Sequence, residues 1–261
     1  MNKKFAELAK KSKVIVIKVG SNILVNEKHS LRKKWLASLV EDVQKLQRKG
    51  SKIIIVSSGA IALGRKILSK KKLTNLHEKQ AAASIGQIQL SQEWQKAFAK
   101  CKIQSSQILI TAEDLNERRK YLNIRNTIYS LMDLNVVPII NENDTTSTEE
   151  IRFGDNDKLS AMIANVLSAE LLILLSDVNG LYTSNPKKSA QAKLITSVEE
   201  VNQQIEKYID KDLSEFGSGG MLAKVNAAKL CIQSGSTMII SNGLVNSPLG
   251  NIHPKSSTWF L

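Results

Sequence analysis

Between Asn141 and Asp157 the chain reads NENDTTSTEEIRFGDND, a stretch dense in Asn, Asp and Glu. An apolar run, VVPII, leads into it, and a helical pattern carrying Leu159, Met162, Ile163, Val166 and Leu167 leads out. A connection this long inside a compact domain either binds something or is disordered, and this one lacks the low-complexity composition of disorder. It is expected to be the active-site loop. Lys18, in KVGSN, ends another apolar run, with Gly20 allowing close backbone approach, so an ammonium and free N–H groups can meet a ligand together. Taken alone, a lysine at a strand end is more often a solvated charge. VSSGAIALG, from Val56 to Gly64, passes through small residues into a helical pattern and presents N–H groups suited to an anion. GSGGMLAK, from Gly217 to Lys224, sets a glycine loop against a helix start with Lys224 near the first turn. A bare glycine loop is equally well an ordinary helix-start turn.

One motif is a decoy. Gly59 to Gly64 has the GxxxxG spacing of a phosphate-binding P-loop, but Arg65 and Lys66 stand where Lys and then Ser or Thr are required. Taken together, the other stretches describe phosphoryl transfer, which needs positioning and charge stabilisation more than covalent chemistry. Two lysines from opposite ends of the chain would meet phosphate-suited loops, and the Asp and Asn cluster would orient the acceptor and the lysines. Magnesium would arrive on the nucleotide with most of its own waters, with no metal fixed by the protein.

Such residues need a frame that gathers them. VIVIKV at Val14–Val19 and KIIIVS at Lys52–Ser57 read as buried strands, with a helix stripe of Leu36, Leu39, Val40, Val43 and Leu46 between them. Helical patterns follow at Ser58–Leu68 and from about Glu78 to Lys100. IQSSQILI reads as a strand, Arg118–Asn135 as a helix, and VVPII as a strand in which Pro138 is awkward for lack of an N–H. Beyond LLILL come the turn DVNGLY, a short strand KLITSV, a helix from about Glu199, a helix Met221–Gln233, a strand TMIIS and a tail ending STWFL. Alternating strands and helices predict an α/β fold with a mostly parallel sheet covered on both faces. In such sheets ligands sit outside the carboxyl ends of the strands. KVGSN, SSGA, the Asn141–Asp157 loop and SDVNG each follow a strand directly, so they should share one crevice.

Composition narrows the alternatives. With 261 residues, 42% hydrophobic and 23% charged, the chain can bury a sizeable core without staples. Cys101 and Cys231 match no metal spacing and read as core residues, and His29, His77 and His253 are scattered. The lysine-rich N-terminus is broken by Glu7 and Lys10, so no signal-peptide core forms. No apolar run approaches the roughly 20 residues of a membrane span, which predicts a soluble, cytoplasmic protein. The net charge of +13 invites a nucleic-acid partner. Its basic runs are short and carry no interleaved aromatics for base stacking, which favours a solvated lysine surface.

KVGS at Lys18–Ser21, VSSGAIALG, NENDT at Asn141–Thr145, FGDNDKLSA at Phe153–Ala161, LLSDVNGLYT at Leu174–Thr183 and GSGGMLAK together resemble the glutamate 5-kinase branch of the amino acid kinase family. The matches run in family order from Lys18 to the terminal WFL. NEND followed by GDND is the specific part, because other branches share the fold and the lysines but not that pair. The resemblance implies a three-layer αβα sandwich around a mostly parallel open sheet. It implies a single kinase domain over 1–261, with the glutamate site in about 1–170, the ATP site in about 171–261, and no PUA domain.

The activity implied is ATP-dependent phosphorylation of the glutamate side-chain carboxylate, opening proline biosynthesis. Lys18 and Lys224 would neutralise the transferring phosphoryl group and Asp157 would hold those lysines. Ser58, Asp144, Asn156 and Asn141 would bind glutamate. Lys18, Gly20, Ser176, Asp177 and the segment Ser218, Gly219, Gly220, Met221, Leu222, Ala223 and Lys224 would contact ATP. A homodimer or homotetramer, feedback by proline and coupling to glutamyl phosphate reductase follow from the same likeness. Asn185 and Ser218 depart from the usual Asp and Thr, which bears on the nucleotide contacts. Two other readings stand beside it. One is an amino acid kinase with a different acceptor. The other is a basic nucleic-acid-binding or regulatory protein on a kinase scaffold, against which the intact Lys18, Asp157 and Lys224 argue.

Overall fold

In the computed structural model, which describes residues 1–70, 72–147, 155–186, 188–210 and 220–261, the two most apolar strands lie side by side at the centre. They are β1 (Val14–Val19) and β5 (Leu171–Ser176), paired in parallel with Ile15 opposite Leu171 and Val19 opposite Leu175. Both are buried on two faces, which is why their sequences run apolar without alternation. Around them the chain forms, in order, α1 (Lys3–Lys11), α2 (Ser21–Leu24), α3 (Lys33–Gln47), β2 (Lys52–Ser57), α4 (Ala60–Ile67), α5 (Leu76–Lys100), β3 (Ser105–Ile110), α6 (Arg118–Asp133), β4 (Val137–Glu142) and α7 (Asp155–Val166). After β5 come β6 (Leu181–Tyr182), β7 (Leu194–Ile195), β8 (Ser197–Val198), α8 (Gln203–Asp210), α9 (Met221–Gln233), β9 (Thr237–Asn242) and β10 (Ser257–Phe260). The described residues make a sheet in the order β3-β4-β2-β1-β5-β9-β10-β8, parallel at every pairing except β10 with β9.

The strand order leaves β1 in two directions, towards β2 on one side and β5 on the other. The crevice beyond their carboxyl ends is therefore a topological switch point. The period-two alternation of β1 fixes what faces what. Ile15, Ile17 and Val19 join the layer built with Phe5, Leu36, Leu39, Trp94 and Phe98. Val16 joins the opposite layer with Leu159, Ile163, Val225 and Ala228 of α7 and α9. Lys18 shares the parity of Val16, so its side chain emerges on the side of α7 and α9. Cys231 is buried in that second layer, and burial pushes its thiol up to about 12.

Several sequence expectations are corrected. KLITSV is two strands: Leu194–Ile195 pairs antiparallel with β6, while Ser197–Val198 joins the main sheet beside β10. The helix expected from about Glu199 begins at Gln203, because Asn202 accepts the N–H groups of Gln204 and Ile205 and caps it there. Within the tail ending STWFL, Ser257–Phe260 is a further strand, and its Trp259 and Phe260 are buried. Pro138 lies inside the sheet, but the ladder to β2 begins only at Ile139, one residue after the missing N–H. The Asn141–Asp157 loop is shorter than its composition suggests. Asn141 and Glu142 end β4 and Asp155–Asp157 open α7, with residues 148–154 outside the described set.

Candidate active site

Three ionised side chains from three elements meet at the switch point. Lys18 is the penultimate residue of β1, and its Nζ lies 2.5 Å from Asp157 Oδ1. Lys224 reaches from the first turn of α9 to Asp157 Oδ2 at 3.1 Å. Asp157 stands in the first turn of α7, where the helix dipole favours a negative charge. Its side chain is 1% exposed, against 10% for Lys18 and 14% for Lys224. Burial pushes the Asp157 carboxyl up, but the charges of Lys18 and Lys224 and their hydrogen bonds more than offset it, leaving the group below the ordinary 3.8. One carboxylate between two ammonium groups leaves a net positive centre. Because a buried charge must be paired, the arrangement keeps both lysines oriented yet short of full neutralisation, as an anion-binding site requires.

The segments around this centre are built for backbone approach. A Cβ on Gly20 would lie 3.6 Å from Lys18 Nζ and 3.7 Å from the Leu175 carbonyl oxygen, so the glycine keeps the flank of the ammonium uncovered. At the end of β5, Ser176 Oγ donates to Asp177 Oδ1 at 3.3 Å, and the Gly243 N–H donates to the Ser176 carbonyl at 2.7 Å. Asp177 is exposed there. Gly220 caps α9 and is exposed, while Met221 and Leu222 also pack against the core. Ser218 and Gly219 lie outside the described residues.

A second set of groups sits at the ends of β2 and β4. Asn156 Nδ2 donates to Ser58 Oγ at 2.7 Å and to Asn141 Oδ1 at 3.0 Å. Ser58 is itself fixed by its N–H donating to the Val19 carbonyl at 3.0 Å. Gly59, at φ 119°, makes the left-handed turn from β2 into α4. Three of the four expected acceptor residues are thus joined by direct hydrogen bonds, next in sequence to Asp157. Asp144 stands in the turn after β4. The decoy glycine, Gly64, has a packing role: a Cβ on it would stand 1.8 Å from the Ala82 carbonyl oxygen of α5.

Sequence reasoning missed the residues behind this layer. Gln87 of α5 accepts from Asn141 Nδ2 at 2.9 Å, and Gln80 Nε2 donates to the Ser147 carbonyl at 3.2 Å. Their spacing of seven, two turns on one helix face, was the available signal. On the other flank, Asn242 Nδ2 donates to Asn179 Oδ1 at 3.1 Å and links the end of β9 to the turn after β5.

Comparison with known proteins gives this geometry a context. Residues 13–242 match the amino acid kinase family. The chain is 50% identical over 254 residues to the glutamate 5-kinase of Pelagibacter ubique, covering 97% of this chain and 69% of that protein. It is 43% identical over 252 residues to the glutamate 5-kinase of Paramagnetospirillum magneticum, covering 96% and 68%. Against the glutamate 5-kinase of Rhizobium leguminosarum bv. trifolii the figures are 45% over 248 residues, with 94% and 64% covered. The chain thus spans about two thirds of the length of these relatives. Among solved structures, the carbamate kinase from Giardia lamblia bound to AMP-PNP superposes with a TM-score of 0.66 at 18% identity, covering 97% of this chain and 99% of that one. The UMP kinase from Ureaplasma parvum superposes with a TM-score of 0.62 at 17% identity, covering 96% and 99%. At such identities these two establish the fold.

Proposed function

The chain belongs to the amino acid kinase family, and we propose that it transfers the terminal phosphoryl group of ATP to the side-chain carboxylate of L-glutamate. The product is γ-glutamyl 5-phosphate, which opens proline biosynthesis. The observation that carries this reading is the Lys18–Asp157–Lys224 cluster at the switch point, one residue from an Asn156 already bonded to Ser58 and Asn141.

A glutamate side chain has a pKa near ~4.3 and is ionised at pH 7, so it needs no general base. Its oxygen attacks the γ-phosphorus and forms the new O–P bond. The bond to the β–γ bridging oxygen breaks, and that oxygen leaves with the electron pair on ADP. The obstacle is bringing an anion to a polyanion. Lys18 and Lys224 lower it by holding positive charge beside the transferring group, and Asp157 keeps both ammonium groups in place. Losing one such donor raises a barrier by roughly 3 kcal/mol. Ser58, Asn156, Asn141 and Asp144 form the acceptor end, within residues 1–170. Ser176, Asp177 and the segment from Ser218 to Lys224 form the nucleotide end, within 171–261. Ser176 and Asp177 offer a single carboxylate, which fits a magnesium ion held mainly by phosphates and water and brought in on ATP.

A homodimer or homotetramer, a cytoplasmic location, coupling to a glutamyl phosphate reductase and feedback by proline near the acceptor end belong to the same proposal. Among the described residues no helix is long and apolar enough to cross a membrane. Unchanged activity at saturating proline and limiting glutamate would remove the feedback.

The test is incubation of the purified protein with ATP, magnesium and each of glutamate, aspartate, acetylglutamate or no acceptor, with hydroxylamine present to trap an acyl phosphate. Glutamate-dependent hydroxamate with matching ADP supports the proposal. Hydroxamate with another acceptor keeps the chemistry and moves the specificity. A folded protein with no turnover on any acceptor overturns the reading.

A further inference from the structure

The amides at the acceptor end are oriented from behind. Gln87 Nε2 donates to Gln107 Oε1 at 3.0 Å and to Ser91 Oγ at 3.2 Å, so its amino end points to β3 and its own helix. Its Oε1 is then turned to Asn141, whose Nδ2 donates to it at 2.9 Å. Asn141 Oδ1 consequently faces the other way, accepting from the Glu142 N–H at 2.9 Å and from Asn156 Nδ2 at 3.0 Å. Asn156 Nδ2 also donates to Ser58 Oγ at 2.7 Å, which uses both hydrogens of that amide.

What remains is Asn156 Oδ1. It is buried, with no hydrogen-bond partner among the described residues. A buried carbonyl oxygen without a donor is costly and uncommon, and an incoming N–H group satisfies it. An amino acid's ammonium carries three such hydrogens. Neither Asn141 nor Asn156 can flip its amide without setting like against like along the chain to Gln87.

We infer that Gln87 is a positioning residue for acceptor recognition. By holding the Asn141 amide it directs Asn156 Oδ1 to receive the acceptor's ammonium, and so sets the preference for an amino acid over the same dicarboxylate lacking the amino group. This rests on the kinase reading above. The helix that carries Gln87 is well placed for the task, since Gln80 on the same face ties α5 to the backbone beyond β4 and Gly86 packs directly on α4.

The experiment compares glutamate with glutarate, its analogue without the ammonium, in the hydroxylamine assay at saturating ATP, using wild type and Gln87→Met. Wild type should prefer glutamate. Gln87→Met, of similar shape but unable to accept from Asn141, should raise the KM for glutamate about tenfold, the effect of losing one well-placed hydrogen bond. It should change the KM for glutarate little, so the preference narrows by a similar factor, and the KM for ATP should not follow. An unchanged preference, or equal losses on both acceptors, overturns the inference and leaves the kinase reading standing, as does a wild type that uses both acceptors equally. No glutamate turnover by folded wild type overturns both. Should Gln87→Met fail to fold, Gln107→Leu, at an exposed position of the edge strand, removes the partner of Gln87 Nε2 and reads the same preference. Narrowing supports the inference and no change overturns it.

Discussion

Gly86 of α5 meets Gly64 of α4 backbone to backbone: a Cβ on Gly86 would stand 2.5 Å from the Gly64 nitrogen and 1.8 Å from the Ala60 carbonyl oxygen. No side chain separates the two helices there. α4 begins just after Ser58, and α5 carries Gln80 and Gln87 to the end of β4. The glycine contact therefore sets the distance between the two sides of the proposed acceptor end.

Gly86→Ala should reverse the usual sign of that change. A Gly in a helix interior is ordinarily worse than Ala by about 1 kcal/mol. Here the added methyl must displace backbone, which costs about 1–3 kcal/mol or more. The expected outcome in a thermal melt is a Tm lower by roughly 3–10 °C. The KM for glutamate should rise more than the KM for ATP, because α5 and not α9 is pushed. A stabilised variant would mean that the helices part freely.

Lys224→Ala separates transition-state stabilisation from substrate binding. If Lys224 meets charge that develops during transfer, kcat falls by about 10²-fold or more while the KM for glutamate changes little. Asp157 keeps Lys18 as its partner in the variant, so the fold should survive. The opposite pattern, an intact kcat with a raised KM, would move Lys224 out of the transition state.

What was legible in the chain followed from local rules. The apolar runs of β1, β2 and β5 and the stripe of α3 announce themselves by periodicity, and polar clusters placed directly after strands announce the crevice. The Lys18–Asp157–Lys224 contact joins residues far apart in sequence: a strand end and a helix start pointed both lysines towards the crevice, while Asp157 as their shared partner was implied by the family resemblance. Gln87 offered only a faint signal, its spacing of seven from Gln80 on one helix face, because its partner Asn141 is set by the pairing of β4 between β3 and β2, which no local pattern encodes. β10 was missed because STWF is short and its pairing with β9 is decided by tertiary context.

Asp157 should give the stability curve a slope in acid. Burial raises its pKa, and the two lysines lower it further than burial raises it, so the folded value lies below the ordinary 3.8. A carboxyl depressed in the folded state contributes its full stabilisation above the unfolded pKa, and that contribution is lost as pH falls through the folded value. Asp157→Asn has no proton to take up. Denaturant unfolding from about pH 6 to about pH 3 should show the wild type losing stability faster than the variant below the ordinary carboxylate range. Other carboxylates titrate in both proteins and cancel in the difference. Parallel curves would show that Asp157 is not held ionised by its lysines.

Asp42 provides a test of architecture away from the chemistry. It is fully buried on α3 and accepts from Ser247 Oγ at 2.7 Å on Oδ1 and 2.8 Å on Oδ2, and from the Leu249 and Gly250 N–H groups at 3.1 Å on Oδ2. Lys45 Nζ lies 3.1 Å from Oδ1. Together with Trp35 Nε1, which donates to the Gly243 carbonyl at 2.6 Å, these bonds pin the connection from β9 to β10 against α3. Asp42→Ala strands one buried and one part-buried backbone donor and should cost about 3 kcal/mol or more. Asp42→Asn can keep those donors by placing its oxygen where Oδ2 was, with the amide nitrogen then donating to Ser247 Oγ but facing the Lys45 ammonium. It should cost about 1 kcal/mol. Unfolding free energies ordered wild type, Asn, Ala would establish that the carboxylate acts by satisfying the loop backbone. If Asn proved as damaging as Ala, the charge itself would be what holds the loop, through Lys45.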